Sequence, residues 1–164
     1  MARYRPPAAA KSPYITAEGF ERLQAEEKTI WKRRRHVVKI LSAAAAEGDR
    51  SENAEYIYRK KELRGIDRRI RYLQHRLPAL IVAGAIPDLK QQVFFGAWVT
   101  LEDETGVEHR YRIVGPDEFD QHRDYISMDS PMAKALLKRH LDDEVSVRTP
   151  GGVKSYSITQ IDYD

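Results

Sequence analysis

Two carboxylates, Asp49 and Glu52, stand three residues apart in the stretch Glu47-Gly48-Asp49-Arg50-Ser51-Glu52-Asn53-Ala54-Glu55-Tyr56. Paired acids of this kind supply hard oxygen ligands, and Mg2+ is typically held by one or two carboxylates together with waters and substrate phosphates. Two are too few for a closed protein site, so such a site is completed only by ligands from a partner. A second reading fits the same spacing: Asp-x-x-Glu at a helix start is a capping box, with Asp49 accepting first-turn N–H bonds and Glu52 reaching back. On spacing alone the capping reading is the stronger one.

A second constellation is basic. Lys32, Arg33, Arg34, Arg35 and Lys39 precede the acid pair, and Arg59, Lys60, Lys61, Arg64, Arg68, Arg69 and Arg71 follow it, with only Glu62 and Asp67 interrupting the second run. Each residue taken singly reads as a solvated helix surface. Together they read as a stripe with too few acids for a purely structural coiled coil, which interleaves signs. A basic stripe leading to an acidic turn suits a nucleic-acid strand bound through its phosphates, which carry affinity and not sequence. Tyr56 and Tyr58 are candidates for stacking on a base; packing at a helix seam is an equal reading for Tyr56.

The elements that position these residues are legible as two long helices. Thr16 is a good N-cap, and Glu18 and Glu21 follow it near the positive end of the helix dipole. Phe20, Leu23, Glu27, Ile30, Arg34, Val37, Leu41 and Ala44 then form one seam, and Tyr56, Arg59, Leu63, Ile66, Ile70, Leu73 and Leu77 a second. Their alternation by three and four is that of a coiled coil. Gly48 ends the first helix, the second starts near Asp49–Ser51, and Pro78 ends it. The short connection makes the pair antiparallel, and a first helix of roughly 32 residues gives a hairpin ~45–50 Å long.

The period changes to two beyond a linker at 78–92 that holds Gly84 and Pro87. Strands are predicted over Val93–Leu101, Val107–Val114, Asp124–Ser127, Glu144–Thr149 and Val153–Ile161, with turns at Asp103–Gly106, Gly115–Asp117 and Pro150–Gly152. A helix is predicted over Ser130–Arg139, with Asp129 or Ser130 as cap and Pro131 at its first position. The expected fold class is α+β: an N-terminal antiparallel coiled-coil hairpin over 14–77, its acidic tip at 48–55, then a small antiparallel sheet packed on one helix over 93–164. Residues 1–13, with three basic side chains and no acids, read as a flexible basic tail.

Composition narrows the class further. The 164 residues contain no cysteine, which excludes disulfides, thiolate metal sites and cysteine nucleophiles. His36, His75, His109, His122 and His140 are scattered without metal-like spacing. No apolar run is long enough to cross a bilayer, and the N-terminus lacks the apolar region of a signal peptide, so a cytoplasmic protein without a membrane partner is expected. Residues 14–77 carry 16 Lys and Arg against 10 Asp and Glu, whereas residues 78–164 carry 9 against 15. A basic part joined to an acidic part points to two different partners.

The chain from about Tyr14 to Tyr163 resembles the bacterial Gre transcript-cleavage factors. The resemblance rests on Gly48-Asp49-Arg50-Ser51-Glu52-Asn53-Ala54-Glu55-Tyr56, on Asp67–Leu73, on Val93-Phe94-Phe95-Gly96-Ala97-Trp98-Val99, and on Asp124–Leu137. The last three and the long basic stripe are closer to the GreB branch than to GreA. Departures are the proline-rich N-terminus, Glu47 before the tip glycine, and Gly65 within the second helix. The resemblance implies an FKBP-like C-terminal domain, without implied isomerase activity, that docks on RNA polymerase through Asp129, Ser130 and Pro131. It implies a hairpin that enters the polymerase secondary channel as a monomer. There Asp49 and Glu52 are the catalytic and metal-binding acids, sharing Mg2+ with polymerase ligands, while Arg50, Ser51, Asn53 and Tyr56 support the tip. Hydrolysis of backtracked RNA is then the polymerase's own reaction, stimulated by a factor that is not an enzyme alone. The basic stripe from Arg59 to Arg71 would hold the nascent RNA 3′ end. Rival functions are a channel-binding regulator that cleaves nothing and, from the sheet fold alone, a peptidyl-prolyl isomerase.

Overall fold

The computed structural model of the chain describes residues 7–47, 53–84, 87–88 and 91–164. Asp49, Arg50, Ser51 and Glu52 therefore lie outside the described residues. Two compact units are present, one spanning Glu18–Leu80 and the other joining the segment that ends at Ala17 to Ile81–Asp164.

The first unit is the helical hairpin. Strand β1 (Tyr14–Ile15) precedes helix α1 (Ala17–Ala46), which is followed by α2 (Ala54–Arg76). At 30 residues α1 is ~45 Å long. Every predicted seam position on both helices is buried or half-buried. Val37, Ile66 and Ile70 form the centre of the seam, flanked by Ile30 and Leu63. Neither helix can bury such a stripe alone, so the pair is the stable unit. Helix α2 runs unbroken through Gly65, at a propensity cost of about 1 kcal/mol relative to alanine. It begins at Ala54, later than predicted, and a 3-10 turn at Leu77–Ala79 closes it.

The second unit is built on a five-stranded sheet. After β2 (Ile81–Val82) come β3 (Trp98–Asp103), β4 (Glu108–Val114), β5 (Tyr125–Ser127), helix α3 (Pro131–Leu136), β6 (Glu144–Thr149) and β7 (Gly152–Asp162). The strand order is β5-β4-β3-β7-β6. Its core contains Val93, Val99, Leu101, Ile113, Leu136, Val145 and Ile158, all buried.

Four expectations are corrected. The sheet is mixed and not wholly antiparallel, because β5 pairs parallel to β4, with Arg112 opposite Tyr125. Parallel neighbours need a crossover, and residues 115–124 supply it. The first sheet strand starts at Trp98, since Gly96 at φ 86° turns the chain before it. Helix α3 is shorter than predicted: Leu137 caps it, and Lys138 follows at φ 69°. Residues 78–92 are more than a linker, because Ile81–Val82 pairs parallel with Tyr14–Ile15.

The hairpin boundary also moves. Thr16 belongs with the sheet unit, where its N–H donates to Glu118 Oε2 at 2.8 Å and its hydroxyl to Oε1 at 2.5 Å. Gly115 N donates to the same carboxylate at 2.9 Å. A side chain at position 115 has no room, since a Cβ there would sit 2.1 Å from Tyr14 O. The end of the supposed tail is anchored as well: Lys11 pairs with Asp117 at 3.7 Å, and Ser12 bonds to Asp129. No helix among the described residues is long and apolar enough to cross a membrane.

Candidate functional site

The turn that carries the acid pair is bounded by one side chain. Asn53 is the N-cap of α2, its Oδ1 accepting from Tyr56 N at 3.1 Å. Its Nδ2 donates to Ala44 O, in the last turn of α1, also at 3.1 Å. One amide thus satisfies an orphan N–H at the start of α2 and adds a second donor to the Ala44 carbonyl at the end of α1, which also accepts from Glu47 N at 3.3 Å. The cap of the described helix is Asn53, and the capping reading of Asp49 and Glu52 falls on residues outside the described ones. An ionised aspartate accepts only, whereas asparagine both accepts and donates, and this position uses both capacities. In sequence both acids lie between Ala46 and Asn53, outside the described residues. Glu52 immediately precedes the cap in sequence.

Beyond the turn the basic residues divide into two sets. Arg59 and Arg69 are half-buried and committed to acids. Arg59 donates to Glu55 at 2.9 Å and to Glu62 at 2.8 Å, and Glu62 also accepts from Arg33 Nε at 2.8 Å. The bond to Glu55, then that to Glu62, raises Arg59 above its ordinary value. Burial pushes the Glu62 carboxyl up, but the bonds and charges of Arg59 and Arg33 outweigh it and leave the group below its usual value. Arg69 grips Glu26 of α1 through both oxygens, at 2.6 and 2.9 Å. Arg34 spans the helices likewise, to Asp67 at 2.8 Å. The stripe is thus not unbalanced along its whole length. Acids from the facing helix neutralise part of it.

Lys60, Lys61, Arg64, Arg68 and Arg71 form the second set, and all are exposed. Among the described residues no ion pair involves Lys61, Arg64, Arg68 or Arg71, so their charge faces water. Tyr56 is half-buried at the seam, with the Lys60 ammonium 5.7 Å from its ring centre. Tyr58 is 62% exposed, with the Arg59 guanidinium 5.2 Å from its ring. Of the two tyrosines, Tyr58 is the one that presents a ring to solvent.

The remaining candidates, Asp129, Ser130 and Pro131, come together at the start of α3. Ser130 is its N-cap, accepting from Ala133 N at 3.2 Å, and Pro131 opens the helix. Asp129 N donates to Ser127 Oγ at 3.1 Å, and Asp129 Oδ2 accepts from Ser12 N at 2.9 Å. The Ser12 hydroxyl bonds to the other carboxylate oxygen. Two residues of interest escaped the sequence reading. Ser12 carried no signal. Trp31 carried one, since it is an aromatic beside the basic run Lys32–Arg35, and it is 36% exposed. Among the described residues no group of three His, Asp or Glu side chains could hold a metal ion.

Residues 13–82 match the family described as transcription elongation factor, N-terminal, and residues 88–163 match transcription elongation factor, GreA/GreB, C-term. The chain belongs to the GreA/GreB family. Within it the GreB branch is the nearer. The transcription elongation factor GreB of Pseudomonas aeruginosa is 56% identical over 164 residues, covering 99% of this chain and 98% of its own. That of Xanthomonas axonopodis pv. citri is 54% identical over 165 residues, with coverage of 99% and 98%. Among solved structures, the GreA factor homolog Gfh1 of Thermus thermophilus aligns over 93% of this chain and 99% of its own, at 26% identity and a TM-score of 0.42. In this GreB-branch chain the N-terminal family region takes in both helices and the acid-bearing turn. The C-terminal region takes in the sheet and Asp129–Pro131.

Proposed function

We propose that this elongation factor binds RNA polymerase, inserts its hairpin into the secondary channel and stimulates hydrolysis of backtracked nascent RNA. The observation that carries the reading is the Asn53 clamp. It joins the ends of a ~45 Å helix and its antiparallel partner, and in sequence Asp49 and Glu52 lie between those two ends.

The donor set fits Mg2+ in kind, being hard carboxylate oxygen, and is too small in number for a closed octahedral site. Asp49 and Glu52 would therefore share the ion with polymerase ligands and RNA phosphate. The ion would supply an activated water and charge stabilisation at the attacking and leaving oxygens. This chain's own contributions are positional. Asn53 fixes the helix ends on either side of the acids, the seam holds the helices together, and the exposed cations attract the RNA backbone. The factor has no turnover alone, because most of the reacting centre belongs to its partner. Asp129, Ser130 and Pro131 are the proposed docking residues.

The test is cleavage of stalled, backtracked complexes with Mg2+ present. Asp49→Ala and Glu52→Ala are each expected to lower the cleavage rate by two or more orders of magnitude at equal polymerase occupancy. Normal cleavage by both variants rejects the metal role. Absence of short 3′ fragments with the unaltered protein identifies a channel occupant that does not cleave.

A further inference from the structure

The N-terminal segment is fixed to the sheet unit by one kind of contact used twice. At Thr16 the backbone N–H and the hydroxyl both donate to a single carboxylate, that of Glu118, at 2.8 and 2.5 Å. At Ser12 the backbone N–H donates to Asp129 Oδ2 at 2.9 Å and the hydroxyl to the other oxygen. The two anchors flank β1 and differ in depth. Thr16 and Glu118 are buried, whereas Ser12 and Asp129 are half-buried and residues 7–11 before them are exposed. The inner anchor and the pairing of β1 with β2 hold the strand, so the outer anchor can open without unfolding it. Exposed segments near a chain end open at little cost. Pro13 keeps the backbone of Ser12 extended, the form in which a kinase cleft takes a substrate chain.

We infer that Ser12 is a phosphorylation site and that its phosphate releases the N-terminal segment from Asp129. In the transfer, Ser12 Oγ bonds to the γ-phosphorus of a nucleoside triphosphate held by a protein kinase. The bond from that phosphorus to the bridging oxygen breaks, the nucleoside diphosphate leaves, and the hydroxyl proton passes to the kinase's base. The contact then inverts in sign. The hydroxyl donates to a carboxylate, whereas a phosphate carries a charge of about −1.5 to −2 at pH 7 and offers acceptor oxygens. Against Asp129 it meets a like charge. The neighbouring cation, Lys11, is already paired with Asp117 at 3.7 Å. Thr16 makes the same bonds as Ser12 but is 6% exposed, out of a kinase's reach. The consequence for docking rests on the proposed function. With Asp129 as a polymerase contact, release of the segment leaves its carboxylate unoriented and weakens the complex, so the phosphate is an off-switch.

The experiment compares the full-length protein with and without phosphate on Ser12. Exchange of the Ser12 amide hydrogen, followed by NMR, is expected to speed up about tenfold in the phosphorylated protein, while the Thr16 amide stays protected. In a competition assay for RNA polymerase the phosphate is expected to weaken binding about twentyfold, against about fivefold for Ser12→Ala, because alanine keeps the backbone bond and the phosphate expels both. Mass spectrometry of the protein isolated from its own cells, in growth and in starvation with phosphatases blocked, is expected to find phosphate on Ser12. Its absence in both conditions overturns the modification site, and unchanged exchange of the Ser12 amide overturns the release. Asp129→Ala separates the inference from the docking reading. If that variant binds polymerase as the unaltered protein does, the docking reading fails, while the exchange and mass-spectrometry arms still decide the site. If it binds weakly and phosphate weakens it no further, the switch runs through Asp129. Additional weakening by phosphate in that variant overturns this route.

Discussion

Ser12 holds both carboxylate oxygens of Asp129, through its backbone N–H at 2.9 Å and through its hydroxyl. The two residues are 117 positions apart, and Asp129 immediately precedes the Ser130 cap of α3. The aspartate proposed to meet polymerase is therefore oriented by the N-terminal segment. Ser12→Ala removes one charge-assisted bond, of order 1 kcal/mol at this half-exposed site, and is expected to weaken polymerase binding about fivefold. Asp129→Ala should weaken it more. The double variant should match Asp129→Ala alone, as expected where the effect of Ser12 on docking passes through that carboxylate. Additive losses in a competition assay would show that Ser12 works by another route.

Asn53 makes one bond that aspartate can replace and one that it cannot. Asn53→Asp keeps the acceptor for Tyr56 N and loses the donor to Ala44 O. Asn53→Ala loses both, with a cap loss of ~1 kcal/mol on top of the lost bond to the Ala44 carbonyl. Urea unfolding should rank the proteins unaltered, Asn53→Asp, Asn53→Ala, in falling stability. Cleavage rate at saturating factor should follow the same order, because the clamp joins the two helix ends that flank the acids in sequence.

The two sets of cations should separate in their effects. Arg69→Ala breaks a two-bond contact with Glu26 across the hairpin and is expected to cost about 0.5–1 kcal/mol of stability. Lys61→Ala and Arg71→Ala lie on the exposed face and should leave stability within ~0.5 kcal/mol. They should instead lower RNA affinity and its salt dependence. Denaturant midpoints and binding isotherms on the same proteins check both halves.

Glu118 ties the N-terminal segment to the sheet unit, and it is 3% exposed. Glu118→Ala removes the carboxylate that accepts from the Thr16 and Gly115 N–H groups and from the Thr16 hydroxyl, for a loss of roughly 2–4 kcal/mol. Gly115→Ala forces a Cβ onto the Tyr14 carbonyl oxygen and should lower the melting temperature as well. A melting temperature unchanged in both variants would mean that the Tyr14–Thr16 contact does not contribute to the fold.

Asp103 gives the sheet unit a pH dependence. Its carboxylate accepts from Thr105 Oγ1 at 2.6 Å, from Thr105 N at 2.9 Å, from Val107 N at 3.0 Å and pairs with His109 Nε2 at 2.9 Å. The Thr105 hydroxyl bond, then those to His109 and Val107, hold the carboxyl well below the usual carboxylate range. A depressed carboxyl stabilises the folded state fully above its unfolded value, near 3.9, and that contribution fades as pH falls below it. Asp103→Asn should therefore be less stable than the unaltered protein at pH 7, with the gap narrowing below about pH 4. Melting curves across that interval check the sign.

Much of this protein was already determined by local order in the chain. The seams from Phe20 to Ala44 and from Tyr56 to Leu77 are periodic patterns, and a periodic apolar stripe has only one economical burial, against its antiparallel neighbour. The Ser130-Pro131 start of α3 and the turns of the sheet hairpins are likewise short-range chemistry. The tertiary structure alone decided which charges meet. Glu26 and Arg69 are 43 positions apart, Ser12 and Asp129 are 117 apart, and Thr16 and Glu118 are 102 apart. A count of charges along one helix sees a basic stripe, but ion pairing depends on the facing helix and on rotation about the seam. The same holds for the cap. Asp49, Ser51 and Asn53 are all cap-forming residues in sequence, and only the proximity of the Ala44 carbonyl selects the one that both accepts and donates.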